Sequence, residues 1–174
     1  MIIVATDPGQ KGGTVVLNEN GDILHQFVLK KRDDKFDLED FIDNIKNILL
    51  KWGNLSIIFV VEDVHSLFGM SAKSNFNFGK TCGMIEATIC SLYGKVYTVT
   101  PKTWQKEMLK GIEIIKKPNS NKNDVKAMAL KAQLNLFPDF NSLASTRCKK
   151  PHDGLIDALL IAEYMRREIM KGNI

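Results

Sequence analysis

Four carboxylates stand where separate elements end or begin. Asp7 follows the apolar run Ile2-Ile3-Val4-Ala5-Thr6, Glu62 follows Ile57-Ile58-Phe59-Val60-Val61, and Asp153 and Asp157 open the last helical stretch. An acid that closes a buried strand costs several kcal/mol unless a positive charge meets it. Oxygen donors without thiolates or grouped imidazoles suit hard cations, so Mg²⁺ is the expected partner and Mn²⁺ its substitute. Two such ions about 4 Å apart can acidify a water and stabilise the leaving 3′ oxygen of a phosphodiester. In that scheme Asp7 bridges two ions, Glu62 and one helix aspartate hold them separately, and the other aspartate completes the set or orients water. Asp153 and Asp157 are four residues apart, which places them about 40° apart around a helix axis, on one face. The competing reading of Asp153 is a cap or a partner of the helix dipole. Asp157, deeper among Ala158, Leu159, Ile161 and Ala162, is less well explained that way.

His152 has three readings: a cap at the helix entry, a proton carrier beside the acids, or a direct ligand. His65 follows Glu62 by three residues and has a local structural role as its default. Asp63 directly follows Glu62, points to the opposite face of a strand and stays outside the metal set. The loop Asp7-Pro8-Gly9-Gln10-Lys11-Gly12-Gly13 lacks the GxxxxGK[ST] order of a P-loop. Cys82, Cys90 and Cys148 show no CxxC spacing, which argues against structural zinc or a disulfide framework and favours a reducing, intracellular compartment. No signal-peptide pattern is present, and no apolar run approaches the ~20 residues of a membrane span, so a soluble chain is expected.

Charge is unevenly spread. From Lys95 to Lys150 there are twelve Lys or Arg against four Asp or Glu, while the rest of the chain carries twelve against sixteen. A basic block beside an acidic metal site suits a polyanion that is both held and cut. The alternative is a solvated, lysine-rich surface.

The elements that must position these residues follow from periodicity. The 174 residues fit a single domain spanning the whole chain. Residues 2–6, 14–17 and 23–29 read as three antiparallel strands joined by turns. A helix opens at Asp37-Leu38-Glu39-Asp40, and a fourth strand covers residues 57–62. A second helix spans 73–92, and a fifth strand spans 96–99. Short helices at 102–109 and 124–136 precede the final helix at 153–170, and irregular segments occupy 110–123 and 139–152. Gly79 and Gly83 are spaced for close backbone approach; core packing is the favoured reading over a dimer seam. Three meandering strands followed by strands alternating with helices resemble an α/β fold of the ribonuclease H-like type. The expected architecture is a five-stranded mixed sheet with helices on both faces.

The segments Val4-Ala5-Thr6-Asp7-Pro8-Gly9, Val61-Glu62-Asp63-Val64, Lys80-Thr81-Cys82-Gly83-Met84-Ile85-Glu86, Lys122-Asn123-Asp124-Val125 and His152-Asp153-Gly154-Leu155-Ile156-Asp157-Ala158-Leu159 occur in order along nearly the whole chain. Together they resemble the RuvC-type Holliday junction resolvases, most closely the phage-borne RuvC-like endonucleases. The resemblance implies a homodimer that nicks opposed strands of four-way DNA junctions and leaves 5′ phosphates. It implies that Asp7, Glu62 and the final-helix acids bind two Mg²⁺ or Mn²⁺ ions, and that Lys106 and Lys122 lie near the scissile phosphate. Lys116, Lys117, Arg147, Lys149 and Lys150 are further candidates for contacting branched DNA. A phage-encoded protein of this kind would act in the cytoplasm of its bacterial host.

Two positions depart from the family pattern. Bacterial members usually space the last two acidic positions by three, whereas Gly154 stands at that offset from Asp157 and the acid is at Asp153. Many members also place a junction-wedging aromatic where His65 stands. Phe68, Phe76 or Phe78 is a candidate substitute, with core packing as the alternative, and tolerance of forks or flaps would follow from a weaker wedge.

Overall fold

Alternation along the first strand decides how the sheet is buried. In the computed structural model, which describes residues 1–65 and 69–174, β1 (Ile2–Asp7) is buried along its whole length. Its residues Ile3 and Ala5 join one apolar cluster, and Ile2 and Val4 join another on the opposite face. β6 (Ile57–Glu62) lies parallel beside it, with Val60 in the first cluster and Ile57, Phe59 and Val61 in the second. Strands covered on both faces read as continuous apolar runs, as these do. β2 (Gly13–Asn18) pairs antiparallel with β1, and β3 (Ile23–Val28) pairs antiparallel with β2. β7 (Tyr97–Val99) is parallel to β6, so the sheet runs β3-β2-β1-β6-β7 and is the five-stranded mixed sheet expected from the sequence.

One face is covered by α1 (Leu38–Trp52) and α2 (Ala72–Tyr93). Asp37 caps α1 by accepting the Asp40 N–H, and Phe41, Ile45 and Ile48 form its buried stripe. Burying each such side chain contributes about 1.5–3 kcal/mol. α2 begins at the Ser71 cap and stops at Gly94, whose φ of +96° is the left-handed conformation that glycine adopts without strain. The other face carries α3 (Pro101–Met108), α4 (Val125–Leu136) and α5 (Asp153–Met170). α5 packs across β1 and β2, and its segment from Gly154 to Ala162 is buried apart from Asp157.

Two features depart from the sequence expectations. Lys31–Arg32 and Lys35–Phe36 form a small hairpin, β4 and β5, closed by Asp33 and Asp34 at φ of 51° and 58°. Positive φ at both central residues is what a two-residue type I′ turn demands. The second feature corrects the reading of Gly79 and Gly83 as core-packing positions. Both are exposed, and a Cβ added at either would meet nothing within 4 Å. The buried stripe of α2 is Phe78, Ile85 and Ile89 instead, so small residues spaced by four here mark an open face. No helix among the described residues is long and apolar enough to cross a membrane.

Candidate metal and nucleic-acid site

The parallel register pairs Thr6 with Val61, so Asp7 and Glu62 emerge side by side at the carboxyl ends of the two central strands. Alternation turns Asp7 with Ile3 and Ala5, and Glu62 with Val60, toward the face covered by α3 and α5. Each acid is 9% exposed. Behind them the Thr6 and Thr14 hydroxyls share a buried hydrogen bond of 2.9 Å that ties β1 to β2.

The last helix reaches this corner through a contact between glycine backbones. Gly12 and Gly154 form a bridge, and a Cβ at Gly154 would lie 2.1 Å from the Lys11 carbonyl oxygen. The first turn of α5 therefore rests on the loop that follows Asp7. Gly154, at the offset where the resembled family carries an acid, has no room for any side chain. The residue that faces Asp7 and Glu62 from α5 is Asp157, which lies one turn further along.

These three carboxyl groups share one poorly solvated pocket, and their acidities register it. Burial first, and then the charges of Asp7, Glu62 and Asp153, push Asp157 up to about 8. Glu62 is raised to about 7 by burial and by Asp7, against the lowering effect of its hydrogen bond from Trp104. Asp7 is raised to about 6 by burial, opposed by the Gly9 N–H, which donates to its Oδ1 across 2.8 Å, and by Lys126. Each shift means that the charged carboxylate lacks the stabilisation that water would give it. α2 borders the same region: burial, Glu86, Asp7 and Glu62 push the Cys82 thiol up to about 11, which keeps it protonated.

Asp153 is different. Its side chain is 43% exposed and pairs with Lys126 Nζ at 2.5 Å, so its charge is already met at the rim of the pocket. His152 takes the capping role among its three readings, with Nδ1 accepting the Leu155 N–H at 3.3 Å. Burial outweighs the opposing Asp153 charge and holds the His152 pKa below its ordinary value.

Trp104 and Lys126 are site-facing residues that the sequence motifs do not mark. The Trp104 indole N–H donates to Glu62 Oε1 at 2.7 Å from a side chain with no exposed surface. Lys126 is the cation whose field reaches Asp7 and Asp157 as well as its partner Asp153. Lys126 is the second residue of α4, four positions after the motif lysine Lys122, and it pairs with Asp153 at the start of α5.

The nucleic-acid candidates lie outside the pocket. Lys106, Lys117, Lys122, Arg147, Lys149 and Lys150 are exposed. Lys116 is exposed too, but its ammonium donates to the Asn121 carbonyl at 2.9 Å and to Asn123 Oδ1 at 2.7 Å, where it braces the 116–123 reversal. His65 is exposed, with Nδ1 3.9 Å from Asp63 Oδ1. Phe68 lies outside the described residues. Phe78 is a core residue at 7% exposure, whereas Phe76 is 73% exposed.

The donor set fits a hard divalent cation. Three carboxylates of raised pKa converge with little solvent, and a cation would supply the opposing charge. Among the described residues no group of three His, Cys, Asp or Glu side chains is arranged to grip a single ion. Mg²⁺ usually takes one or two protein carboxylates and completes its octahedron with water and substrate phosphate. Asp7, Glu62 and Asp157 are therefore the residues that would hold such a cation with water and substrate completing its shell, and a closed protein cage around one ion is not what they form.

The architecture belongs to the ribonuclease H-like class. Among solved structures it is similar to Thermus thermophilus RuvC in complex with a Holliday junction substrate, at a TM-score of 0.62 and 18% identity, covering 99% of this chain and 96% of that one. A second Thermus thermophilus RuvC structure matches at the same TM-score and identity, covering 99% and 97%. At this identity the likeness shows the fold, over nearly the full length of both chains. No family model matches the sequence, and no curated protein is similar to it by sequence.

Proposed function

We propose that this protein is a metal-dependent endonuclease that nicks four-way junctions and related branched DNA, leaving 5′ phosphates, and that it acts as a homodimer. The observation that carries this reading is the convergence of Asp7, Glu62 and Asp157, from β1, β6 and α5, in one poorly solvated pocket where Asp7 raises the pKa of Glu62 and both raise that of Asp157. The shared fold supports the substrate class, because one RuvC structure of the same architecture holds a Holliday junction.

In this reading Asp7, Glu62 and Asp157 hold two Mg²⁺ or Mn²⁺ ions. When bound, the ions supply an acidified water and charge stabilisation for the departing 3′ oxygen. The chain's own groups prepare that chemistry. The Gly9 N–H fixes one oxygen of Asp7, and the Trp104 N–H fixes one oxygen of Glu62. Lys126, tethered by Asp153, stands where a non-bridging phosphate oxygen would need a positive partner. Asp153 then acts as the tether of Lys126 and as an outer member of the acid set. Lys106, Lys117, Lys122, Arg147, Lys149 and Lys150 serve as exposed contacts for flanking phosphates, and His65, with Phe68 three residues later in the sequence, is the proposed contact to the branch point. The open face of α2 around Phe76, Gly79 and Gly83 is the proposed dimer contact.

The test is incubation of the protein and its Asp7→Asn variant with an end-labelled four-way junction in Mg²⁺. Paired nicks by the wild type, lost in the variant, support the reading. Binding without nicking by either protein identifies a non-catalytic junction binder instead. Equal cutting of junctions and RNA–DNA hybrids removes the junction selectivity.

A further inference from the structure

A cleft of about 400 Å³ opens beside the acid pocket, between the loop after Asp7, the β4–β5 hairpin and the N-terminal half of α2. Pro8 and Gly9 are among its lining residues, and Gly9 is the residue whose N–H holds Asp7, so the cleft lies next to the loop that fixes that carboxylate. Its walls carry Lys30, Lys31, Lys35, Lys73 and Lys80 against one acid, Asp34. Lys30 is engaged by Asp40 at 2.6 Å. None of Lys31, Lys35, Lys73 and Lys80 forms an ion pair with an acid among the described residues. This concentration of charge lies outside the Lys95–Lys150 block, in a part of the chain whose overall balance is acidic.

The lining is also apolar. Phe36, Phe78 and Met84 face the cleft beneath the lysines. Ammonium groups above aromatic and thioether surface match a ligand in which phosphates alternate with flat rings, as in single-stranded nucleic acid. A double helix keeps its base faces stacked inside, so the aromatic and thioether lining of this cleft favours an unpaired strand over a duplex.

We propose that this cleft binds an unpaired stretch of the DNA strand whose scissile phosphate lies at Asp7, Glu62 and Asp157. Lys31, Lys35, Lys73 and Lys80 contact its phosphates, and a base packs against Phe36 and Met84. The inference rests on the nuclease reading for the direction in which the strand runs. Its consequence is that unpaired nucleotides next to the cut tighten binding, so flaps, forks and opened junctions are held better than fully paired ones.

The test is fluorescence anisotropy of a fluorescein-labelled oligothymidine in EDTA, where cleavage plays no part. Full-length protein is compared with a variant carrying Lys31→Ala, Lys35→Ala, Lys73→Ala and Lys80→Ala, with the fold of each checked by circular dichroism. The variant is expected to bind at least about tenfold more weakly. Its slope of log affinity against log salt should be shallower by about 3, at roughly 0.7 for each single-strand phosphate that it no longer neutralises. As a second readout, an oligonucleotide carrying a photoreactive iododeoxyuridine should crosslink to peptides containing Phe36 or Met84. Affinities within about twofold and an unchanged slope overturn the inference, as do crosslinks confined to other surfaces. Lysine-dependent binding by a wild type that nicks no junction in Mg²⁺ or Mn²⁺ would overturn the nuclease reading and leave the cleft standing. Intact nicking with no lysine dependence would do the reverse.

Discussion

The Trp104 indole N–H donates to Glu62 Oε1 across 2.7 Å, linking residues 42 positions apart through a bond sealed from solvent. One oxygen of Glu62 is thereby fixed and the carboxylate plane is set. A hydrogen bond to a charged group contributes about 1.5–3 kcal/mol, and its loss inside a core leaves the acceptor unsatisfied.

Trp104→Phe keeps most of the packing and removes the donor. The variant should lose about 1–3 kcal/mol of stability in urea denaturation. It should also need several-fold more Mg²⁺ for half-maximal nicking, because Glu62 is no longer pre-oriented. A variant with unchanged metal dependence would show that Trp104 serves packing alone.

The raised carboxyl pKa values make stability depend on pH in a defined direction. Between the ordinary carboxylate range and the folded values of about 6, 7 and 8, the native state keeps protons on Asp7, Glu62 and Asp157 that the unfolded chain has released. Stability without divalent cation therefore falls as pH rises from about 4 to about 8 and levels off beyond. Mg²⁺ or Mn²⁺ replaces those protons, so its stabilising effect should be larger at about pH 8 than at about pH 5. Thermal melts with EDTA and with excess Mn²⁺ across that range provide the check. A metal-induced shift that is independent of pH would contradict it.

The two helix aspartates should behave differently. Asp157→Asn removes a pocket acid and should lower nicking by at least about a hundredfold, an effect on the order of 3 kcal/mol. Asp153→Asn loosens a half-exposed pair with Lys126 that contributes about 0–1 kcal/mol to stability, and its activity loss should be about tenfold or less. Single-turnover rates on one junction compare them directly. Equal losses would place both acids on the metals.

Gly154→Ala puts a methyl group 2.1 Å from the Lys11 carbonyl oxygen, where backbone faces backbone and no side chain can swing aside. Overpacking of this kind costs about 1–3 kcal/mol or more, and here it also displaces Asp157 relative to Asp7. The melting temperature and the nicking rate should both fall. An unaltered rate would mean that the start of α5 does not set the pocket.

The sheet and the strand-end positions of Asp7 and Glu62 were legible in the sequence because they rest on local signals. Glu62 ends a run of five apolar residues and Asp7 follows four apolar residues and a threonine, and a strand buried on both faces has few other appearances. The final helix was equally clear from its apolar stretch around Leu159 and Ile161. Contacts between distant elements were not legible. Trp104 gives no sign in its own segment that its N–H meets Glu62, and Gly154 reads as a plain spacer until Lys11 and Gly12 are seen against it. The β4–β5 hairpin escaped because Lys30-Lys31-Arg32-Asp33-Asp34-Lys35 has no apolar alternation. The spacing of Gly79 and Gly83 is the same on a covered face as on an open one, so only the folded surface separates the two.

Whether Asp7, Glu62 and Asp157 share divalent ions is decided by anomalous diffraction from crystals soaked in Mn²⁺. The expected map has manganese density touching all three side chains, with Asp7 common to both ions. Manganese bound only at other surface acids, with the Asp7–Glu62–Asp157 pocket free of it, would refute the shared site.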